Sequence, residues 1–100
     1  MAEAKTDLRI VDNIDESRYE LWMGGDRLAG FADYRLSEKQ ILLPHVEIDP
    51  VLQGRGFASV LTAAMLDDCR ARGFAVEATC PFIESYLQAH PEYDDIVAPT

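Results

Sequence analysis

Long apolar runs, cysteine and clustered positive charge are all scarce in this chain of 100 residues. No stretch approaches the roughly 20 apolar residues that a bilayer-spanning helix needs, so the sequence predicts no membrane span. The first seven residues also lack the apolar centre of a secretory signal. We therefore expect a cytoplasmic protein.

Cys69 and Cys80 are the two cysteines, which is too few for a disulfide framework, and no zinc-ligand spacing accompanies them. No metal site is predicted. The 9 Lys and Arg residues are scattered and face 18 Asp and Glu residues, for a formal net charge of -9. This balance disfavours nucleic acid as a partner and favours a cationic one, although an acidic surface also simply aids solubility.

Alternating polar and apolar residues predict strands at 8–11, 17–23, 27–36 and 40–48, joined by short polar turns such as Gly24-Gly25-Asp26. These four strands should form an antiparallel meander. Pro44 lies inside the fourth strand and cannot donate to a ladder, so we expect a bulge there. The ends of the chain, residues 1–7 and 95–100, carry little packing signal and are predicted to be flexible.

A helix is predicted from Gly56 to Arg72, because Phe57, Leu61, Met65 and Cys69 recur every fourth residue and Gly73 supplies a stop. A strand at 74–79 follows, and a strand-helix-strand passage of this length implies a parallel pair. Pro81 suits the first turn of a short last helix. The predicted fold class is α/β in the α+β sense: one domain over residues 1–100, with a meander, a helix, a parallel strand and a C-terminal helix.

The turn Gln53-Gly54-Arg55-Gly56 lies between the fourth strand and the long helix. The first amides of a helix have no acceptor inside it and lie at the positive end of its dipole, and glycines let a ligand approach the bare backbone. A diphosphate is the natural ligand for such a turn. A plain helix-entry turn is the alternative.

The same residues resemble a known signature. Gln53-x-x-Gly56-x-Ala58 is similar to the pattern of the GCN5-related N-acetyltransferases, whose loop and helix hold the pyrophosphate of acetyl-coenzyme A. His45-x-Glu47, Gly54-x-Gly56, Cys80-Pro81-Phe82 and His90-Pro91-Glu92-Tyr93 further resemble a small single-domain branch of that family. The resemblance implies acetyl-coenzyme A as co-substrate and an amine acceptor, with cofactor contacts at these residues: Ile48, Gln53, Gly54, Arg55, Gly56, Phe57, Ala58 and Ser59.

Four residues are candidates for the chemistry of acyl transfer to an amine, which needs a base and oxyanion donors. His45 and Glu47 share a strand face, and either could be the base. Cys80 before a helix could form an acyl-cysteine with His45 as its partner, or it could be a small buried hydrophobe. The resemblance suggests Tyr86 as the acid that protonates the leaving thiolate, although a tyrosine there could simply pack.

The sequence therefore predicts a minimal acetyl-coenzyme-A-dependent N-acetyltransferase. A coenzyme-A-binding or protein-interaction module with weak or no transfer is the alternative, because the superfamily's C-terminal strands are missing. Nothing in the chain identifies the acceptor or the oligomeric state.

Overall fold

The computed structural model describes residues 7–99, which form a five-stranded sheet and two α-helices. The strands are β1 (Leu8–Asn13), β2 (Arg18–Met23), β3 (Arg27–Ser37), β4 (Gln40–Ile48) and β5 (Ala75–Ala78). The helices are α1 (Phe57–Arg72) and α2 (Pro81–Ala89), and short 3-10 helices cover Ile14–Glu16, Pro50–Leu52 and Pro91–Ile96. No helix among these residues is long and apolar enough to span a membrane.

The sheet has the order β1-β2-β3-β4-β5. Its first three pairings are antiparallel and β4 pairs with β5 in parallel, so the predicted architecture is confirmed. The helix α1 begins after Gly56 and ends at Gly73, whose left-handed backbone (φ 75) closes it. Because α1 returns the chain from the end of β4 to the start of β5, it runs antiparallel to β4.

An extra residue interrupts β4 where Pro44 predicted a bulge. Asp33 pairs with His45 and Arg35 with Leu42, so two steps along β3 are matched by three along β4. The bulge falls at Leu43 and Pro44, and it resets the alternation of side chains before His45. The prediction of an irregularity in mid-strand is confirmed.

The parallel pairing of β4 with β5 ends at Leu43 and Ala78. Beyond this point the amides of Thr79 and Cys80 both donate to the carbonyl of Leu43, at 3.2 and 3.3 Å, and the chain turns into α2. Within residues 7–99, no strand pairs with the outer side of β4 after Leu43. The last residues of β4 therefore present a free edge.

One continuous apolar core lies between the sheet and the helices. The buried stripe of α1 contains Leu61, Met65, Leu66 and Cys69, as the fourfold period predicts, together with Thr62. Cys69 is fully buried, and burial, followed by the charge of Asp68, raises the pKa of its thiol to about 11. Cys69 is therefore a core residue, with its thiol protonated at neutral pH.

The C-terminal segment is docked where the sequence predicted flexibility. Tyr93 and Ile96 are buried, the amide of Ala98 donates to the carbonyl of Val76 at 2.7 Å, and Val97 bridges the same residue. The edge of β5 that does not face β4 has backbone groups without a strand partner. The C-terminal segment supplies a hydrogen bond to one of them, the carbonyl of Val76. The two ends were also predicted to be flexible at residues 1–6 and at Thr100. These residues lie outside the described part of the chain.

A polar network fastens the C-terminal half of α1 to the meander. Arg72 donates to Asp12 at 2.7 Å and to the hydroxyl of Tyr19 at 3.3 Å. The Tyr19 hydroxyl donates to Asp68 at 2.6 Å, and the Tyr34 hydroxyl donates to Asp12 at 2.7 Å. Burial and the neighbouring carboxylates raise the pKa of both phenols, to about 12 for Tyr34.

The raised pKa values of the buried phenols and of the Cys69 thiol predict loss of stability in alkali. The folded protein keeps protons on Tyr19, Tyr34, Tyr93 and Cys69 that the unfolded chain releases above their ordinary pKa values of 9.0 to 10.0. The resulting stabilisation is complete below about pH 9 and is lost as the pH rises towards 12. Urea unfolding at pH 8, 9, 10 and 11 should give a falling free energy of unfolding. Tyr34→Phe should flatten the fall, and an unchanged slope in this variant would contradict the assignment.

Candidate functional site

The N-terminus of α1 is open to a ligand. Its first hydrogen bond runs from the amide of Val60 to the carbonyl of Gly56, at 3.1 Å, and no side chain caps the helix. Helix geometry leaves the amides of Phe57, Ala58 and Ser59 without intrahelical acceptors, at the positive end of the dipole. These amides can therefore bind an anion.

Two glycines shape the turn that precedes the helix. Gly54 and Gly56 have φ values of 82° and 83°, in the left-handed region where an ordinary residue pays about 1–2 kcal/mol. A Cβ placed on either glycine would meet no atom within 4 Å, so the space beside the backbone is open. The Gln53 side chain donates to the carbonyl of Ile48 at 3.3 Å and ties this turn to the end of β4.

A cavity of about 380 Å³ opens between β4, the turn and the start of α1. Its lining contains seven of the eight residues predicted to contact the cofactor, all except Arg55. It also contains Val46, Leu52 and Phe82, which sequence reasoning missed. Arg55 is exposed at the turn and makes no ion pair with any residue in 7–99. The cavity is mainly apolar, and its open polar groups lie at the helix end.

His45 and Glu47 project from the other side of the sheet. Side chains alternate along a strand, and Val46 and Ile48 line the cavity, so His45 and Glu47 lie on the opposite face, which we call the open face. The Nε2 atom of His45 is 3.0 Å from Oε1 of Glu47, and each side chain is more than half exposed. The two residues share a face, as predicted, but neither lines the cavity.

The surroundings of this pair are partly aromatic and partly acidic. The ring of Phe31 lies 6.2 Å from the His45 ring, and the Arg18 guanidinium lies 4.6 Å above Phe31. A recess of about 220 Å³ lies beside them and is lined by six residues of β3, β4 and the following turn: Leu28, Ala29, Gly30, Phe31, Glu47 and Asp49. Both charged residues in this lining are acids, and Asp49 already pairs with Arg27 at 3.1 Å.

Cys80 is the N-cap residue of α2 and is buried, with 5% of its surface exposed. The cavity beside the Gln53 turn reaches α2 through Phe82. Cys80 is not in its lining and belongs to the apolar core, which fits the alternative of a small buried hydrophobe. No hydrogen bond of the described residues joins Cys80 to His45, whose ring is paired with Glu47.

Tyr86 is partly buried on α2, away from the cavity lining. Its ring stacks on His90 with centroids 3.8 Å apart, and Nδ1 of His90 donates to the Tyr86 carbonyl at 2.7 Å. Burial, and then the charges of Glu92 and Asp67, raise the pKa of its phenol. The phenol therefore stays protonated at neutral pH, and its role as the acid remains a prediction.

The sequence carried a signal for two of the missed lining residues. Phe82 follows Pro81 at the start of the predicted last helix, close to the end of the fifth strand. Val46 alternates with His45 and Glu47, and its position opposite them follows directly from strand geometry.

The structure defines an α+β domain whose fourth and fifth strands separate next to an uncapped helix N-terminus. The comparison with protein families is specific. A family model described as GCN5-related N-acetyl-transferase matches residues 18–96, and the chain belongs to this family. A search among curated proteins found no match.

Solved structures of acetyltransferases share the fold. A GCN5-like N-acetyltransferase from Staphylococcus aureus, known by NMR, is 18% identical with a TM-score of 0.66, over 100% of this chain and 93% of that one. The ribosomal-protein-S18-alanine N-acetyltransferase of Escherichia coli is 20% identical with a TM-score of 0.61, over 82% of this chain and 52% of that one. The toxin AtaT, solved with acetyl-coenzyme A, has a TM-score of 0.50 and 12% identity, over 85% and 82% of the two chains.

Gly30 offers a test of the packing behind the site. A Cβ at this position would lie 2.5 Å from Cδ1 of Ile48 and 2.6 Å from the carbonyl oxygen of Glu47. A backbone carbonyl cannot rotate away, so β3 and β4 must separate, and we expect Gly30→Ala to destabilise the protein by about 1–3 kcal/mol in urea unfolding. Gly30 has no left-handed backbone, so an alanine there meets the contact and no penalty from a positive φ. A loss below about 0.5 kcal/mol in Gly30→Ala would refute the close packing.

Proposed function

We propose that this domain transfers an acetyl group from acetyl-coenzyme A to a primary amine. One observation carries the proposal: the uncapped N-terminus of α1, with Gly54 and Gly56 beside it, opens into a cavity at the free edge of β4. Membership of the GCN5-related N-acetyltransferases supports the same reaction. Acetyl-coenzyme A supplies an activated thioester, and the residues of this chain hold it and accept a proton.

The diphosphate of the coenzyme would bind the amides of Phe57, Ala58 and Ser59. Open space beside both glycines lets phosphate oxygens reach the backbone, and the dipole of a 16-residue helix favours their charge. Arg55, which has no carboxylate partner among the described residues, would add a charge-assisted contact from the rim of the cavity.

The pantetheine arm, with its two amides, suits the free edge of β4. The carbonyl of Ile48 accepts from Gln53, whereas the amide of Asp49 donates to Ala29 of β3 at 2.8 Å. Because a strand residue directs its N–H and C=O to the same side, Ile48 directs its backbone groups away from β3, and Val46 does so by alternation. An extended arm with amide groups could pair with these backbone groups as a short strand would.

The acceptor amine would approach over the open face. A thioester at the edge of β4 would have the cavity on one side and the side chains of His45 and Glu47 on the other. The amine nitrogen forms the new C–N bond as the C–S bond breaks, and its proton passes to His45 or Glu47, which are 3.0 Å apart and exposed to solvent. The coenzyme leaves as a thiolate that takes a proton, for which Tyr86 is the predicted donor.

The charge of the open face favours a cationic acceptor. The recess beside Phe31 carries the carboxylates of Glu47 and Asp49 and no basic residue in its lining. The whole chain has a formal net charge of -9, so a positively charged amine is attracted before it binds. We expect deprotonation of that amine at the His45 and Glu47 pair.

A coenzyme-binding module without efficient transfer is the second candidate. The observation in its favour is that the predicted catalytic residues His45, Glu47, Cys80 and Tyr86 all lie outside the lining of the cavity. Cys80 is also nearly covered by the core, which limits access to its sulfur. The two candidates share coenzyme binding and differ only in turnover.

Coenzyme binding is tested by Gly56→Glu. The new side chain enters open space, so the fold should survive, while its carboxylate competes for the same amides and repels the diphosphate. Calorimetry with coenzyme A should show at least a tenfold loss of affinity. Gly24→Glu places the same charge on another left-handed glycine (φ 63) in the β2–β3 turn and should bind as the unaltered protein does. Unchanged affinity in Gly56→Glu would remove the basis of the proposal.

Measurements of turnover distinguish an active transferase from a coenzyme-binding module. They also distinguish direct transfer from transfer through an acyl-cysteine. With labelled acetyl-coenzyme A and a polyamine or lysine peptide, His45→Gln and Glu47→Gln should each lower the rate, with the larger loss in the variant that lacks the base. Coenzyme affinity should not change, because neither side chain lines the cavity. Mass spectrometry then follows the label on the protein.

Label retained on the unaltered protein and lost in Cys80→Ala would establish an acyl-cysteine. Direct transfer predicts no retained label and a Cys80→Ala variant that still turns over. Tight binding without turnover for any amine would establish the binding module instead.

A further inference from the structure

Glu20 is a buried carboxylate on the open face of the sheet. Its neighbours along β2 pack into the core, so its side chain lies on the face that carries Glu47, where only 5% of it is exposed. The carboxylate accepts hydrogen bonds from the side chains of Asn13, Arg18 and Trp22, at 2.9, 2.8 and 3.0 Å. Burial opposes the charge of Glu20, but these three hydrogen bonds outweigh it and hold the pKa of the carboxyl below its usual range. Glu20 is therefore a fixed and charged group on the open face.

The hydrogen bond to Glu20 fixes Arg18 over the ring of Phe31. The guanidinium carbon lies 4.6 Å from the ring centroid, within range of a cation–π interaction. In the strand register Arg18 is opposite Asp33, two residues after Phe31. The recess lies on the other side of the ring, because residues 28–30 of β3 line it. The guanidinium therefore covers one face of the ring, and the other face forms a wall of the recess.

The ring of Phe31 lies next to the carboxylate at which we expect the amine to lose its proton. Phe31 is directly opposite Glu47 in the register of β3 and β4, and neighbouring strands are about 4.8 Å apart. A short alkyl chain spans this distance. Each methylene that such a chain buries against an apolar surface improves binding by up to about fourfold. An amine on an unbranched chain therefore fits here, with its nitrogen at Glu47 and its chain across Phe31.

We propose that Phe31 determines acceptor specificity by receiving the alkyl chain of the amine, and that Arg18 and Glu20 are positioning residues that hold its ring against the recess. The proposal rests on acetyl transfer as set out above and deepens it. The acceptor is a primary amine on an unbranched alkyl chain, as in a lysine side chain or a free polyamine. Arg18 and Glu20 lie outside the lining of the recess and act through the ring.

Turnover of n-butylamine and of methylamine tests the role of Phe31. Both carry the same ammonium group, but only n-butylamine has a chain that reaches across the ring. The unaltered protein should prefer n-butylamine in kcat/KM, and Phe31→Ala should reduce this preference about tenfold, through KM and not kcat. Calorimetry should show an unchanged affinity for coenzyme A, because Phe31 does not line the cavity. No preference in the unaltered protein, or the same preference in Phe31→Ala, would overturn the proposal.

Matched substitutions test the positioning residues. Arg18→Gln removes the cation over Phe31, and Arg9→Gln removes a cation that lies 5.9 Å from the Trp22 ring on the same face. Arg18→Gln should lower the preference for n-butylamine about threefold, whereas Arg9→Gln should leave it unchanged. Glu20→Gln should behave as Arg18→Gln, and the double variant should lose no more than either alone, because both residues act through one contact. Equal effects of Arg9→Gln and Arg18→Gln, or additive losses, would contradict the positioning role.

Two further amines identify the source of the alkyl chain. A higher kcat/KM for Nα-acetyl-lysine amide than for spermidine indicates a protein side chain, and the reverse indicates a free polyamine; a loss in Phe31→Ala with either supports the proposal. If coenzyme A binds but no amine is acetylated, the proposed function fails together with this inference. If amines are acetylated and Phe31→Ala selects among them as the unaltered protein does, this inference alone fails.

Discussion

The separation of β4 from β5 after Leu43 is the feature on which the rest of the site depends. Two backbone amides, of Thr79 and Cys80, converge on the Leu43 carbonyl and end the parallel ladder. The bulge at Leu43 and Pro44 falls at the same level and changes the side-chain alternation of β4. A free strand edge, a cavity on one face and a His-Glu pair on the other all follow from this break.

The polar network around Arg72 holds the other end of the same helix. Arg72, Asp68 and Tyr19 connect the C-terminal turn of α1 to β1 and β2, while the N-terminal turn is left without a cap. One end of the helix is therefore fixed by charge and hydrogen bonds, and the other keeps its amides free for a ligand. A helix anchored in this way can present those amides in a constant position, which lowers the entropic cost of binding.

The predicted cofactor-binding residues and the His45–Glu47 pair lie on opposite faces of β4. The cavity side is apolar with free amides at its mouth, which suits an anionic cofactor with a long neutral arm. On the open face the carboxylate of Glu47 lines the recess without an arginine or lysine partner among residues 7–99, which suits the cationic amine of the proposed reaction. In the proposed reaction the two ligands need not compete for one pocket, because they would approach the edge of β4 from opposite faces of the sheet.

The sequence by itself determined the elements that local rules govern. The period of Phe57, Leu61, Met65 and Cys69 predicted α1, the glycines predicted both its ends, and Pro44 predicted the bulge, since each of these depends on the backbone within a few residues. The C-terminal segment, the covered sulfur of Cys80 and the placement of Arg18 over Phe31 were decided only by the tertiary structure. Each depends on which distant backbone or side-chain groups come together once the sheet has formed, and no local pattern records that.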